Sequence, residues 1–313
     1  MKKTILAIGG HIGDACLTAG GVMASNAVEG GKNYTLALTA GEKGNPPHMT
    51  REEYKKQKIQ EAKNFMAMMN GEAYVLDYGD GELPNNEKVR MEVAEIIVKL
   101  KPDIIITHWH SQMHKDHNNT HYIVQDARFI ASVVGTQYGR HYASLYFAEN
   151  WEDDHDFDPY VYVDITKGYD LWCKALHEHW FVMNSKDFAY YDYYTSLARC
   201  RGALCKKQYA ECFNVFEYSK KVVKEELPDN IERRIFIFER ASQFDLLYKN
   251  PETFMWVSPA PCSILKRYNL VQKKCIDNNK KYKDVLIYKN GYKLTKLDRQ
   301  FITELCESKR KYL

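Results

Sequence analysis

Short apolar runs alternate with longer amphipathic stretches along the first hundred residues of the chain. Four runs have the length of buried strands: Thr4–Ile8, Asn33–Thr39, Ala73–Tyr78 and Asp103–Thr107. Three stretches place apolar residues at helical spacing and stop at glycine or just before proline: Ala15–Glu29, Arg51–Asn70 and Glu87–Leu100. This strict alternation predicts an α/β fold, with a Rossmann-like, mostly parallel sheet and helices on both faces.

The pattern changes in the second half of the chain. Tyr160–Thr166 has the character of a strand, and Lys167–Lys207 is largely helical and rich in aromatic residues. Beyond about Tyr218 the composition shifts toward Lys, Tyr and Asn. We therefore predict a first domain over residues 1–218 and a C-terminal α+β extension over 219–313, which serves as a lid or an oligomer contact.

Two elements are expected within the extension. Ile287–Leu294 contains Asn290-Gly291, which favours a two-residue hairpin turn. Asp298–Lys309 has the spacing of a helix.

Composition excludes several classes of protein. An apolar content of 45% and an aromatic content of 13% are ample for a core and argue against general disorder. The apolar stretch Thr4–Ile8 is too short for a signal peptide, and no window approaches the ~20 apolar residues of a membrane span. Eight cysteines without a CxxC pair are typical of reduced thiols, so we predict a cytoplasmic protein with no membrane partner.

Charge is unevenly distributed along the chain. Residues 220–313 carry 21 Lys+Arg against 12 Asp+Glu, whereas residues 1–219 carry 23 against 29. The basic segment is interpreted either as the site of an anionic partner or as solvated surface that contacts the acidic part. No nucleic-acid signature accompanies its Tyr and Lys residues, so a homo-oligomer contact is expected rather than nucleic acid.

Five of the eleven histidines lie in one stretch of fourteen residues, HWHSQMHKDHNNTH, which follows the last of the four predicted strands. Ligands of open α/β sheets bind beyond the carboxyl ends of the strands. Three loops are therefore expected to meet there: Gly9–Asp14, Gly41–Pro47 and His108–His121.

The first of these loops predicts metal binding. Its sequence, GGHIGDACLTAGG, lacks the GxGxxG pattern of a dinucleotide site. His11 and Asp14 instead stand three residues apart on a tight turn, where an imidazole and a carboxylate can reach one ion. A histidine from the His-rich loop would complete two nitrogen ligands and one oxygen ligand, which is typical of a catalytic zinc with an open position. Such a set also accepts iron or manganese.

Together these segments resemble the zinc-dependent N-deacetylases of the PIG-L/LmbE type over roughly residues 4–215. The matching segments are HIGD, GEKGN, HKDH, KIQEAKNFMAMMNG, GDGEL, VDIT, KALHEH and RGALCKKQYAECF. The resemblance implies one zinc, with His11, Asp14 and His117 as its ligands. It also implies that His114 and Asp116 serve catalysis and that the substrate is an N-acetylated sugar conjugate or a related amide.

From the same matching segments, Lys58, Asp80 and His179 are expected to contact the substrate. His108, His110 and His121 match no role in the family and are expected to form pocket walls or surface.

The chain departs from the family pattern at Gly13. The family carries H-P-D-D, whose first Asp is the general base, whereas this chain reads His11-Ile12-Gly13-Asp14. Either another carboxylate replaces the base, with Glu42 and Asp116 as the candidates, or the enzyme works without one, or it has become a binding protein.

Two further departures concern the substrate. Lys58 stands where the family has arginine, so a bidentate clamp becomes a point charge. Trp180-Phe181 follows His179 where Ser-Gln is common, which suits either stacking on a sugar ring or core packing.

The function predicted from these residues is a zinc-dependent hydrolase that removes an acyl group, in the first place acetyl, from an amino sugar or a similar small molecule. Two alternatives stay open. One is a non-catalytic binding or regulatory protein on the same scaffold, and the other is a zinc hydrolase that acts on a different amide or ester.

Overall fold

The computed structural model describes residues 2–152, 156–216, 262–271 and 295–312, together with positions 244 and 248. The chain divides into two compact units, Met1–Leu227 and Pro228–Leu313. No helix among the described residues has the length and apolar character needed to cross a membrane. The six cysteines whose side chains are described are all free thiols.

A seven-stranded sheet forms the centre of the first unit. Its strands are β1 (Thr4–Gly9), β2 (Lys32–Thr39), β3 (Gly71–Tyr78), β4 (Ile104–His108), β5 (Ser144–Ala148), β6 (Val161–Asp164) and β7 (Ala210–Val215). They lie in the order β3-β2-β1-β4-β5-β7-β6. The first five in this order are parallel to one another, and β7 is antiparallel to both β5 and β6. The predicted mostly parallel sheet is thus confirmed.

Helices cover both faces of this sheet. They are α1 (Asp14–Thr18), α2 (Gly20–Val28), α3 (Arg51–Met68), α4 (Glu87–Leu100), α5 (Lys115–Phe129), α6 (Tyr169–Leu176), α7 (Trp180–Asn184) and α8 (Tyr190–Cys205). Alternate residues of β1 serve the two faces, with Ile5 and Ala7 on one side and Leu6 and Ile8 on the other. The first side packs against α1, α2, α3, α6 and α8, and the second packs against α4 and α5.

The predicted helix Ala15–Glu29 is in fact two helices, α1 and α2, which are separated at Ala19. The side chain of Trp172 occupies the space beside Gly20, where a Cβ would lie 2.2 Å from the indole nitrogen. The amides of Gly21 and Val22 each donate to the carboxylate of Glu211 at 2.8 Å. A long-range contact from β7 therefore caps α2 separately, and local periodicity carries no sign of it.

Two strands were missed by the sequence pattern. Strand β7 is buried along its whole length, yet it contains Glu211 and Asn214, whose polarity conceals the apolar run. Strand β5 is only five residues long, Ser144–Ala148.

The second unit contains α9 (Cys262–Arg267) and α10 (Lys296–Tyr312) among its described residues. The second of these extends the helix predicted at Asp298–Lys309. The predicted hairpin Ile287–Leu294 lies outside the described residues. The division after Leu227 falls close to the expected end of the first domain at residue 218.

Candidate metal centre

Three loops meet beyond the carboxyl ends of β1, β2 and β4, as their predicted positions require. The backbone amide and the hydroxyl of Thr39 donate to the carbonyl of Gly10 at 2.8 and 3.0 Å. The amide of Gly10 in turn donates to His108 Nε2 at 3.0 Å. One correction concerns the His-rich segment, which stops being a loop at His114 because α5 begins at Lys115.

The three predicted metal ligands converge on one small space. His11 Nδ1 lies 3.0 Å from His117 Nε2 and 3.4 Å from Asp14 Oδ2, and the last two atoms lie 3.3 Å apart. Ligands at ~2.0–2.1 Å from a tetrahedral ion stand about 3.4 Å from one another, which this triangle matches. His11 and Asp14 come from the turn into α1, and His117 comes from the first turn of α5.

Carboxylates stand behind both imidazoles of this triangle. His117 Nδ1 lies 3.1 Å from Glu152 Oε2. His11 Nε2 lies 3.2 Å from Asp80 Oδ1 and 3.4 Å from Asp116 Oδ2. A carboxylate on the far nitrogen of a ligating histidine holds the tautomer whose near nitrogen has a free lone pair. His117 is held by a hydrogen bond, whereas the two carboxylates near His11 Nε2 lie outside hydrogen-bond geometry and act on His11 by charge. Both arrangements favour a near nitrogen that can accept a cation.

The carboxylates around His11 and His117 favour positive charge at this site. Burial alone would lower the pKa of His117, but Asp14 and then Glu152 raise it to about 9. His11 is opposed by burial in the same way, and its carboxylate neighbours, Asp14 foremost, raise its pKa well above the usual range. Four carboxylates around two imidazoles attract either protons or a divalent cation, and a bound cation would displace the protons. The residues present thus fit a metal ion such as zinc.

His114 is held in one tautomer at the N-terminus of α5. Its Nδ1 accepts the backbone amide of Asp116 at 3.1 Å, so the ring proton of the neutral form resides on Nε2. Its ring centroid lies 4.5 Å from that of His11 and 4.9 Å from that of His117. Burial, followed by these two histidines, lowers the pKa of His114. This residue can donate a hydrogen bond beside the triangle.

Asp116 is fully buried, and its Oδ2 accepts the amide of Gly81 at 2.6 Å. Because the same oxygen faces His11, the Asp116 carboxylate orients that ligand, and only its backbone amide orients His114. Glu42 reaches the site from the loop after β2. One of its oxygens accepts the amide of Asp80 at 3.1 Å, and the other is buried without a hydrogen-bond partner among the described residues.

Phe181 fills the space beside Gly13, the position at which the sequence analysis found no general base. A Cβ on Gly13 would lie 2.4 Å from Phe181 Cζ and 2.6 Å from Cε1. The φ of Gly13 is +110°, which a residue with a side chain rarely adopts. Both the backbone conformation and the nearby Phe181 ring therefore require glycine at this position.

Two predicted substrate contacts lie behind Phe181. His179 has no exposed surface and packs against Phe65 and Phe181, with ring centroids 5.3 and 5.8 Å away. Burial lowers its pKa to about 3. Lys58 is also buried, and its Nζ donates to the carbonyl of Gly41 at 3.1 Å and lies 5.1 Å from the Phe181 ring centroid. These placements favour packing and loop support over direct substrate contact.

The remaining histidines of the cluster form a supporting layer. His108 is buried and stacks on His117 at 4.2 Å, and burial is the main cause that lowers its pKa to about 4. His121 lies on α5, where its Nδ1 contacts the carbonyl of His108 at 2.8 Å. His110 contacts the hydroxyl of Ser111. The sequence pattern missed the support from Glu152, because this residue stands alone 35 positions after His117.

Residues 6–128 match the family model PIG-L, described as GlcNAc-PI de-N-acetylase. No curated protein sequence matches the chain significantly.

Solved structures with this fold include GalB, the 4-carboxy-2-hydroxymuconate hydratase from Pseudomonas putida, with a TM-score of 0.64 and 23% identity over 72% of this chain and 100% of that one. The N,N'-diacetylchitobiose deacetylase from Pyrococcus horikoshii has a TM-score of 0.60 and 20% identity, and covers 68% of this chain and 84% of its own. The conserved protein TT1542 from Thermus thermophilus has a TM-score of 0.58 and 21% identity, over 70% of this chain and 100% of that one. At these identities the likeness establishes the fold.

Proposed function

Because residues 6–128 match the PIG-L family model, we propose that the chain is a metal-dependent hydrolase that removes an acetyl group from an N-acetylated amino sugar or a similar small molecule. The observation that carries the proposal is the triangle of His11 Nδ1, Asp14 Oδ2 and His117 Nε2, with sides of 3.0–3.4 Å. Zinc is the metal we propose, since two imidazoles and one carboxylate are a common catalytic set for it.

The metal, when bound, supplies Lewis acidity that polarises an acyl carbonyl and makes a water molecule more acidic. The protein supplies geometry around it. Glu152 fixes the tautomer of His117, and Asp80 and Asp116 fix that of His11, so that the ligand lone pairs face inward. We assign all three carboxylates to this orienting role.

His114 is the group we assign to oxyanion stabilisation. Its Nε2 proton points away from the helix amide that Nδ1 accepts, and it can donate to the oxygen on which charge develops during attack on the acyl carbon. A neutral imidazole does not give up this proton, so the leaving amine takes the proton that the base has removed from water. In this neutral tautomer Nε2 has no lone pair, so His114 does not take the proton from water.

Proton abstraction from water needs a different residue, because Phe181 closes the position beside Gly13. Of the two carboxylates expected to replace the base, Asp116 has one oxygen engaged by Gly81 and directed at His11. Each carboxylate keeps one buried oxygen without a partner among the described residues, Oδ1 of Asp116 and Oε2 of Glu42, but Asp116 already orients His11 through its other oxygen. We therefore propose Glu42 as the base, with Asp80 holding its other oxygen through the backbone.

The test is to purify the protein, measure its zinc content and assay amine release from N-acetylglucosamine derivatives, with a chelator as control. Stoichiometric zinc and chelator-sensitive amine release support the proposal. Glu42→Gln should then lower kcat by about 10²–10⁴, the usual contribution of a general base, without releasing zinc. A carefully prepared wild-type protein without any divalent ion would contradict the metal centre, and zinc without amine release would contradict the reaction.

A second candidate, a binding protein on the same scaffold, is favoured by one observation. The Phe181 ring lies beside Gly13, where a general base was expected, so the proposed metal ligands are present but this acidic group is not. Turnover by the wild-type protein excludes this candidate. Zinc-dependent binding of an N-acetylated sugar without turnover supports it.

A further inference from the structure

Four aromatic side chains form a continuous row beside the metal centre. Phe181 meets Tyr190 edge to face at 5.3 Å, Tyr190 meets Phe188 at 4.9 Å, and Phe188 stacks on Trp151 at 4.6 Å, all between ring centroids. We call these residues the aromatic row. They come from α7, from the connection to α8 and its start, and from the segment after β5.

One end of the aromatic row contacts the metal centre, and the other end adjoins it in the sequence. At one end, the edge of Phe181 covers Gly13, the residue between His11 and Asp14. At the other end, Trp151 immediately precedes Glu152, whose carboxylate contacts His117 and accepts the amide of His114 at 3.3 Å. The row therefore runs from the ring that contacts Gly13 to the residue that precedes Glu152.

The middle of the row lies within the electric field of the same site. Burial raises the pKa of Tyr190, and the carboxylates of Asp14 and Glu152 raise it further. A phenol that experiences both carboxylates lies between the two ends of the row.

The exposure of the row distinguishes it from the core. Phe181, Tyr190, Phe188 and Trp151 are all half-buried, whereas core aromatics such as Phe65 and Trp172 are almost completely enclosed. Half-buried aromatic rings beside a polar centre offer flat apolar surface to a ligand.

We propose that the aromatic row is the wall on which the apolar face of a pyranose ring rests while its acetamido group reaches the metal centre. The negative face of an aromatic ring attracts the polarised C–H bonds that a sugar presents on one side. The row does not supply a charged partner, so the wall selects for ring shape and leaves recognition of hydroxyl groups to other residues. This inference rests on the proposed function and extends it to the substrate's ring.

The experiment measures sugar binding apart from turnover. N-acetylglucosamine is titrated into zinc-loaded protein, with the dissociation constant obtained from ligand-observed NMR. Phe181→Leu and Phe188→Leu keep apolar volume but remove the aromatic face, and Phe129→Leu on α5, where Phe129 is 55% exposed, is the matched control. Zinc affinity and the thermal melting curve report whether each variant retains its fold and metal centre.

We expect each row variant to weaken sugar binding by about threefold to tenfold, the range of one aromatic contact, with zinc affinity unchanged. Phe129→Leu should bind like the wild type, and saturation transfer should be strongest to protons on one face of the sugar. Row variants that bind the sugar within about twofold of wild type overturn the inference, as does a wild type that binds no sugar. Sugar binding without amine release contradicts the reaction alone.

Discussion

The two sides of the candidate metal centre are lined by different kinds of side chain, carboxylates on one side and an aromatic ring on the other. Behind the imidazoles lie carboxylates, Glu152 on His117 and Asp80 with Asp116 on His11, so that each ligand has a polar partner. Beside Gly13, where a general base was expected, lies the ring of Phe181. One side of the candidate centre thus carries the polar groups that a bound cation would need, and the other side is closed by an apolar ring.

The strongest way to break this comparison is to remove a metal ligand. Asp14→Ala or His117→Ala should abolish stoichiometric zinc, with a loss of affinity larger than the roughly 100-fold that outer partners contribute. His110→Ala, in the same histidine cluster but paired with Ser111, should retain zinc. Zinc content after dialysis and titration calorimetry give the answer, and equal affinities for all three variants would refute the assigned ligands.

The aromatic side is tested by adding a side chain at Gly13. Gly13→Ala should lower the free energy of unfolding by about 2–4 kcal/mol, because a strained φ and overpacking against Phe181 act together. In a Phe181→Ala background the penalty should fall by at least about 1 kcal/mol, which a double-mutant cycle from denaturant unfolding measures. Additive penalties would show that Phe181 does not occupy the space.

The same space can be returned to a carboxylate. Gly13→Asp combined with Phe181→Ala should raise amine release over Phe181→Ala alone, by up to about 10². Gly13→Asn in the same background is the matched control, since it has the same shape without the charge. An equal rate for Asp and Asn would show that a base at this position does not limit the reaction.

A smaller effect is expected from a substitution on the carboxylate side, at Glu152. Glu152→Ala should weaken zinc binding by about 10–100-fold, because His117 loses the partner that fixes its tautomer. Glu152→Gln retains an acceptor for the imidazole proton and should recover most of the affinity. Unchanged binding in Glu152→Ala would mean that His117 is oriented by packing on His108 alone.

The smallest effect concerns His179 behind Phe181. Its pKa is lowered from 6.5 to about 3 by burial, so the unfolded chain binds the extra proton between these values and stability rises with pH across this window. Acidification from about pH 6.5 to about pH 5.5 should cost about 1 kcal/mol through this residue. His179→Phe should lose that part of the dependence, measured by urea unfolding with chelator present. An unchanged pH profile would contradict the burial.

Much of this architecture could be predicted from the chain alone, and the reason differs between elements. Strands β1 to β4 and helices α3 and α4 follow from local periodicity, and the convergence of their loops follows from the rules of parallel sheets. Spacing and family resemblance together suggested His11, Asp14 and His117. The break at Ala19 and the role of Glu152 depend on contacts between distant segments, which no local pattern contains.

The position of the Phe181 ring beside Gly13 is another feature that could not be predicted from the sequence alone. The glycine at position 13 is visible in the sequence, and so is the Trp180-Phe181 pair, but the contact between them is not. Only the fold reveals that the Phe181 ring fills the space that a side chain at position 13 would need. Similarly, the family resemblance suggested that Lys58 and His179 contact the substrate, whereas both side chains are buried.

Glu211 has a consequence for how the chain can be divided. Its carboxylate, carried on β7, binds the start of α2, and Trp172 donates to the carbonyl of Cys16 at 2.8 Å. An expressed fragment that stopped near residue 128, the end of the family match, would leave that helix start without its acceptor and that carbonyl without its donor. The smallest piece worth producing for crystallisation or engineering therefore runs through Val215.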